Sequence, residues 1–421
     1  MINVPTNKSF RSFLKTRTNF EFTFKSINTD IINTIIDKLA PKTSSGYDGI
    51  STKLLKTIKH ALLLPITIII NQMLCTGIFP DNLKIAKVNP VFKKDDDTQF
   101  TNYRPISLLP AISKIFEKVI FNQLYNYFQE KQLFYNSQYG FRDKHSTELA
   151  ALELTDRITL EMDKMNTPIS IFLDLSKAFD TLDHNILLSK LDYYGIRGTA
   201  QNLLKSYLTE RKQFVQIEDT KSYNLSLETG VPQGSILGPL LFLIYINDIA
   251  AASNLFKFII YADDTNLTTT IELATRQNPD IDLNTVLNAE LSKISDWLKT
   301  NKLSLNVKKS KYIIFHMPQK KVNPLQLIMN NTEISRVINF DFLGLTLNEN
   351  LNWKPHIDKI SNKISRSIGI LNRLKHFLPI QSKLLIYSSL ILSHLNFCII
   401  VWGYKCERIV KLQKSRSYHK Q

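Results

Sequence analysis

Cysteine, glycine and acidic residues are scarce in this chain of 421 residues. The three cysteines, Cys75, Cys398 and Cys406, show no CxxC spacing. That excludes a disulfide scaffold and a four-cysteine zinc site, and makes a reducing, intracellular compartment the expectation. Twelve glycines and fifteen prolines are too few for a collagen-like or low-complexity chain. Met1–Phe24 lacks the apolar block of a secretory signal. Apolar runs long enough for a bilayer are also wanting. Ala61–Ile70 is ten residues long and contains Pro65. Leu384–Tyr404 has no formal charge, but its Ser388, Ser389, Ser393, His394 and Asn396 are costly in lipid. A buried helix and strand of a globular domain is expected there, and no membrane partner.

What is present is ordinary globular composition, 43% hydrophobic and 21% charged. The charge is lopsided: 53 Lys and Arg against 37 Asp and Glu, a formal +16. Such an excess favours a polyanion, and nucleic acid is the expected partner. Basic clusters at Lys308, Lys309 and Lys311, at Lys320 and Lys321, and along Lys405–Gln421 suit phosphates without reading sequence.

Periodicity predicts mixed elements. Ile31, Ile32, Ile35, Ile36 and Leu39 have helical spacing after a cap at Thr29 or Asp30. Helices are predicted over 51–76, 111–128, 146–164, 184–210 and 285–301, and over 236–252 behind Ser235. Strands are predicted at Lys87–Phe92, 169–175, Tyr312–His316 and Phe340–Leu347, with hairpins over 213–228 and 256–270. A helical tail is predicted after these strands. No strict βαβ alternation is present, so the fold class is α+β.

The chemistry lies in carboxylates. Asp174 interrupts the apolar run Ile169–Leu175, and Asp263 and Asp264 form the turn of a second apolar hairpin. A carboxylate in apolar surroundings is expensive unless paired or metal-bound. Acids on adjacent central strands can converge into an oxygen cage of the kind Mg²⁺ accepts beside substrate phosphates. Two such ions about 3.5–4 Å apart are the recurring arrangement for phosphoryl transfer. Each acid read alone is equally well a cap or turn residue.

The neighbouring residues form longer boxes: Asn102–Leu109 (NYRPISLL), Phe172–Asp180 (FLDLSKAFD), Gly230–Pro239 (GVPQGSILGP) and Tyr261–Asp264 (YADD). In content and order they resemble the reverse transcriptases of jockey-like non-LTR retrotransposons, from about Lys42 to beyond Trp402. The resemblance implies a right-hand polymerase: a flanking helix over 1–40, fingers over 41–168, a palm with an antiparallel sheet flanked by helices over 169–350, and a partial thumb over 351–421. It implies RNA-directed DNA polymerase activity, with RNA template, DNA primer and deoxynucleoside triphosphates as partners and no protein partner. Two Mg²⁺ ions, or Mn²⁺, are the implied cofactors.

By the same resemblance, Asp174, Asp263, Asp264 and the Leu175 carbonyl are metal ligands. Phe179 is a steric gate against the 2′-hydroxyl. Arg142, in a box whose Asp143 and Lys144 depart from the family pattern, meets the triphosphate. Arg104 does the same or grips the template. Gln233 lies against the nucleotide sugar or the template base. Lys309, or its neighbours Lys308 and Lys311, protonates pyrophosphate. Phe342, Leu343 and Gly344 resemble the primer grip, and Lys42–Ile50 the N-terminal extension box, with Tyr47 where Pro is usual. The endonuclease, RNase H and zinc-knuckle patterns of longer elements are not recognisable, so a truncated element is the expectation. The rival readings are an idle or host-adopted RNA-binding remnant, a group II intron maturase, and a membrane-anchored protein.

Overall fold

The computed structural model describes residues 9–14, 17–94, 96–277 and 282–403. The basic tail Lys405–Gln421 lies outside them. The chain divides into two interleaved units. One takes in Met1–Asn136, Leu175–Ala252 and Ile294–Ser304, the other Ser137–Asp174, Ser253–Lys293 and Leu305–Gln421.

The second unit is built on a sheet with spatial order Ser335–Arg336, Lys311–Ile314, Pro168–Ser176, Asp264–Thr270, Lys257–Tyr261. Its central strand is apolar because both faces are covered, the pattern expected of buried strands. The register sets Asp174 directly opposite Asp264, with Phe172 opposite Asn266. The helix Thr147–Asp163 buries Ala150, Ala151, Leu154, Ile158 and Met162, and Ser146 caps it by accepting from the Leu149 N–H at 3.2 Å. Its face joins a core with Phe172, Ile259, Ile313, Phe342, Trp353 and Trp402.

The stretch 340–347 is a hairpin, Asn339–Phe342 against Leu345–Asn348, and not one strand. Leu343 and Gly344 turn it with φ of +47° and +88°, the backbone that a two-residue hairpin loop requires. The expected helix and strand over Leu384–Tyr404 is replaced by helical segments through Trp402. Ile391, Cys398, Val401 and Trp402 are buried there while Leu384, Leu385 and Ile400 are exposed. A helix with one apolar stripe satisfies its own backbone and needs no sheet partner.

In the first unit a sheet runs Tyr103–Leu108, Ile85–Phe92, Lys212–Ile217, with short strands Thr220–Lys221 and Leu225–Ser226 added to the last. Helices Ala111–Glu130, His184–Tyr193 and Gly198–Leu208 belong with it. So does Gly238–Ile246, apolar all round and buried at every position but Pro239. Helix Thr29–Lys38 is capped by Asn28, one residue before the expected cap, through an Oδ1 that accepts from the Ile31 N–H at 3.1 Å. The Ala61–Ile70 run sits inside a longer helix, Lys59–Thr76, whose 18 residues are long and apolar enough to cross a membrane by length and composition. Core helices of soluble proteins pass the same test.

Candidate active site

Three acids meet in the second unit. Asp174 is near the end of the central strand and Asp264 begins the next one. The tight turn between Lys257–Tyr261 and Asp264–Thr270 is Ala262–Asp263, since Tyr261 already pairs with Asp264. Asp264 therefore starts a strand and is not a turn residue. Asp174 and Asp263 are half-buried, whereas Asp264 keeps an edge open to water.

Like charges placed directly across a sheet repel. The Asp264 carboxyl is accordingly pushed up to about 6, first by the protein packed around it and then by the charges of Asp263 and Asp174. An acid held above its ordinary 3.8 keeps its proton in the folded state while the unfolded chain has released it. Between about pH 4 and pH 6 the folded state then binds more protons, so stability falls as pH rises through that window. Asp264→Asn is expected to melt higher than the parent at pH 7.5, with the gap closing near pH 4. Thermal melts at the two pH values check this, and equal gaps at both would show that Asp264 is not the group concerned.

The turn itself is strained and clamped. Ala262 has φ +56°, a left-handed backbone that costs a non-glycine residue roughly 1–2 kcal/mol. The segment Ser137–Gly140 lies alongside Lys257–Tyr261: Ile260 N–H donates to the Ser137 carbonyl at 2.9 Å and Tyr139 N–H to the Ile260 carbonyl at 2.7 Å. Gln138, 2% exposed, turns its Oε1 to accept from the N–H groups of Gly140 at 2.9 Å and Ala262 at 3.3 Å. Gly140 must be glycine here, because an added Cβ would stand 2.3 Å from the Ala262 nitrogen. Neither Gln138 nor Gly140 stands out in the sequence. A glycine two residues after a glutamine is no signal by itself.

A second loop buckles onto the backbone of Asp174. Asn306 N–H donates to the Asp174 carbonyl at 2.8 Å, and Asp174 N–H donates to Ser310 Oγ at 3.2 Å. Ser310 Oγ in turn donates to the Asn306 carbonyl at 3.0 Å. Lys308 and Lys309 ride on this loop and are exposed. Lys311 points elsewhere, with its Nζ 3.4 Å from Ser335 Oγ. Lys320 is also engaged, donating to Thr167 Oγ1 at 2.5 Å and facing Glu272 at 3.5 Å. Arg142 is half-buried and donates from Nη1 to the Gln138 carbonyl at 3.2 Å. The Phe342 side chain is core, 4% exposed with its ring 5.4 Å from that of Phe172. Only Leu343 and Gly344 of that box reach the surface.

The remaining candidates belong to the first unit. Leu175 is buried there. Phe179 stacks on Phe242 with ring centroids 4.6 Å apart. Gln233 Nε2 donates to Asp180 Oδ1 at 2.7 Å, and its carbonyl accepts from the Ser107 N–H at 2.7 Å. Gly234 has φ +125°, and a Cβ there would stand 2.6 Å from the Ser107 carbonyl oxygen. Arg104 is exposed on Tyr103–Leu108, opposite Val91.

Among the described residues, no group of three or more His, Cys, Asp or Glu side chains closes into a ligand set. The donor chemistry nonetheless fits a hard divalent ion. All the donors are oxygens, and a cation beside them relieves the repulsion that raises Asp264. Mg²⁺ is commonly held by one or two carboxylates plus substrate phosphates, so a closed protein cage is not required.

The chain is similar to known proteins over most of its length. A family model described as reverse transcriptase (RNA-dependent DNA polymerase) matches residues 91–347. The chain is 27% identical over 419 residues to a probable RNA-directed DNA polymerase from transposon BS of Drosophila melanogaster, covering 93% of this chain and 44% of that protein. It is 25% identical over 388 residues to the RNA-directed DNA polymerase from mobile element jockey of Drosophila funebris, covering 90% and 41%. It is 26% identical over 396 residues to a probable RNA-directed DNA polymerase from transposon X-element of Drosophila melanogaster, covering 90% and 41%. The chain thus spans about two fifths of the length of these curated relatives.

Proposed function

The chain belongs to the reverse transcriptase (RNA-dependent DNA polymerase) family, and we propose that it extends a DNA primer along an RNA template. Fingers over 41–168, a palm over 169–350 and a thumb from 351 onward are part of this reading. The observation that carries it is the acid arrangement: Asp174 opposite Asp264, with Asp263 in the adjoining clamped turn.

Asp174, Asp263 and Asp264, with the Leu175 carbonyl, would hold Mg²⁺, which when bound would supply Lewis acidity and charge neutralisation. The chain's own work is positioning. Gln138 and Gly140 hold the Asp263 turn, and the Asn306–Ser310 loop holds the backbone of Asp174. Lys309 is the proton donor to pyrophosphate, with exposed Lys308 as its neighbour. Phe179 excludes ribonucleotides, Gln233 meets the nucleotide, and Arg104 and Arg142 take phosphate oxygens. Leu343 and Gly344 meet the primer end.

The test is primer extension by the purified chain, with an annealed DNA primer on RNA, deoxynucleotides and Mg²⁺. Extension that stops on chelation and returns with added Mg²⁺ supports the reading. No extension with Mg²⁺ or Mn²⁺, alongside salt-sensitive RNA binding, points instead to a binding protein of the same fold.

Gly140→Ala probes the clamp within that assay. The added methyl displaces the Ala262 backbone by a sizeable fraction of an ångström. Misplacing a reacting group by about 1 Å can cost roughly a hundredfold. A loss of about that size in single-turnover extension is expected, and unchanged extension would show that the turn tolerates displacement.

A further inference from the structure

A fully buried carboxylate in the first unit has no part in the chemistry above. Glu117, on Ala111–Glu130, is 0% exposed. Its Oε2 accepts from the backbone N–H groups of Ile236 at 2.6 Å and Leu237 at 3.3 Å. Ser113 Oγ stands 3.4 Å from Oε1. These two amides open the buried helix Gly238–Ile246, where first-turn donors need a partner from outside the helix. Arg211, 1% exposed, supplies the opposite charge: its Nη1 donates to the Tyr207 carbonyl at 3.0 Å, while its Nε and Nη2 have no hydrogen-bond partner among the described residues. Burial raises the Glu117 carboxyl, and Arg211 and the two amides oppose that rise.

The loop that Glu117 holds is the one that carries Gln233. Gly230 N–H donates to the Leu182 carbonyl at 2.8 Å and Val231 N–H to the Phe179 carbonyl at 3.0 Å. Ser235 closes the Pro232–Ser235 turn, its N–H donating to the Pro232 carbonyl at 3.1 Å and its Oγ accepting from the Gly238 N–H at 3.0 Å. The loop is thus tied at its start to Phe179–Leu182, in its middle to Ser107 and Asp180, and at its end to Glu117. Releasing the last tie frees the turn on the helix side, where no strand pairing holds it.

We propose that Glu117 is a positioning residue for the nucleotide site: by holding the Ile236 and Leu237 amides it fixes where Gln233 stands, and so sets nucleotide affinity. This rests on the polymerase reading above. A buried acid with a merely structural role would move stability and leave nucleotide affinity alone. Glu117→Gln keeps the shape and exchanges one carboxyl oxygen for an amide nitrogen that cannot accept. Glu117→Asp keeps the carboxyl and draws it back from the amides.

Hydrogen exchange on the full chain, with primer extension at varied deoxynucleotide, makes the test. Both variants are expected to speed exchange across Val231–Leu237 by about tenfold, with protection of Pro168–Ser176 unchanged. Both should raise the deoxynucleotide KM about tenfold with kcat nearly constant. In a Gln233→Ala background the same changes should add nothing further, because residues acting through one another are non-additive. Unchanged exchange at Val231–Leu237, or a KM effect that adds fully to Gln233→Ala, overturns the proposal. Should Glu117→Gln fail to fold, Glu117→Asp decides alone. A parent that does not extend primers refutes the polymerase reading, while the exchange result still decides whether Glu117 positions this loop.

Discussion

Asp263→Asn is expected to cut primer extension by at least about a thousandfold while the protein melts no lower than the parent. Asparagine has the size of aspartate and is equally at home in a tight turn. What it removes is one negative oxygen donor from the set proposed to take the metal. Such charge stabilisation is worth several kcal/mol of barrier, and each 1.36 kcal/mol is tenfold in rate. Stability moves the other way. Asp263 exerts the larger effect of the two charges that help push Asp264 up to about 6. With it neutral, the Asp264 carboxyl falls toward its ordinary range and the folded state loses a repulsion. A catalytic loss with no loss of melting temperature separates a chemical role from a structural one. Retained extension would move the catalytic acid elsewhere in the chain.

Asp248→Ala is expected to have the opposite profile, a large loss of stability. Lys190 and Asp248 form an ion pair at 2.5 Å with side chains 0% and 5% exposed. Lys190 Nζ also donates to the Tyr245 carbonyl at 2.6 Å, and Trp297 Nε1 donates to Asp248 Oδ2 at 3.3 Å. The rings of Tyr245 and Trp297 lie 4.9 Å from the ammonium. Burial pulls the Lys190 ammonium down, and Asp248 opposes that fall. Truncating one partner leaves an uncompensated charge in an apolar core, at about 3–5 kcal/mol. Total stabilities are only about 5–15 kcal/mol. A drop in melting temperature on the order of 10 °C follows. Replacing both partners together, as Lys190→Met with Asp248→Leu, should cost much less, because no lone charge remains. A small effect of Asp248→Ala in thermal melts would show that water reaches the pair.

Local rules succeeded where the residues that satisfy them are close in sequence. Thr147–Asp163 has its cap in Ser146 and its apolar stripe within one helix, so the expectation over 146–164 differs from the structure by about one residue at each end. The strand around Asp174 was legible because an unbroken apolar run bounded by turn signals has few other uses. The hairpin over 256–270 was legible too, though not which acid is the turn. Leu384–Tyr404 misled because an uncharged run carries no period that separates a strand from a short helix.

The α+β class and the boxes that mark the family were legible because each is written in adjacent residues. Only the tertiary structure decided that Asp174 faces Asp264, that Gln138 accepts from Ala262 across 124 residues, and that Glu117 reaches Ile236 across 119. The reason is physical. A buried donor or acceptor must find a partner, but chain distance places no limit on where that partner comes from. Periodicity reports which face of an element is apolar. It carries no information about which distant amide will satisfy a buried carboxylate, and here those distant pairings hold the turn and the loop that carry Asp263 and Gln233.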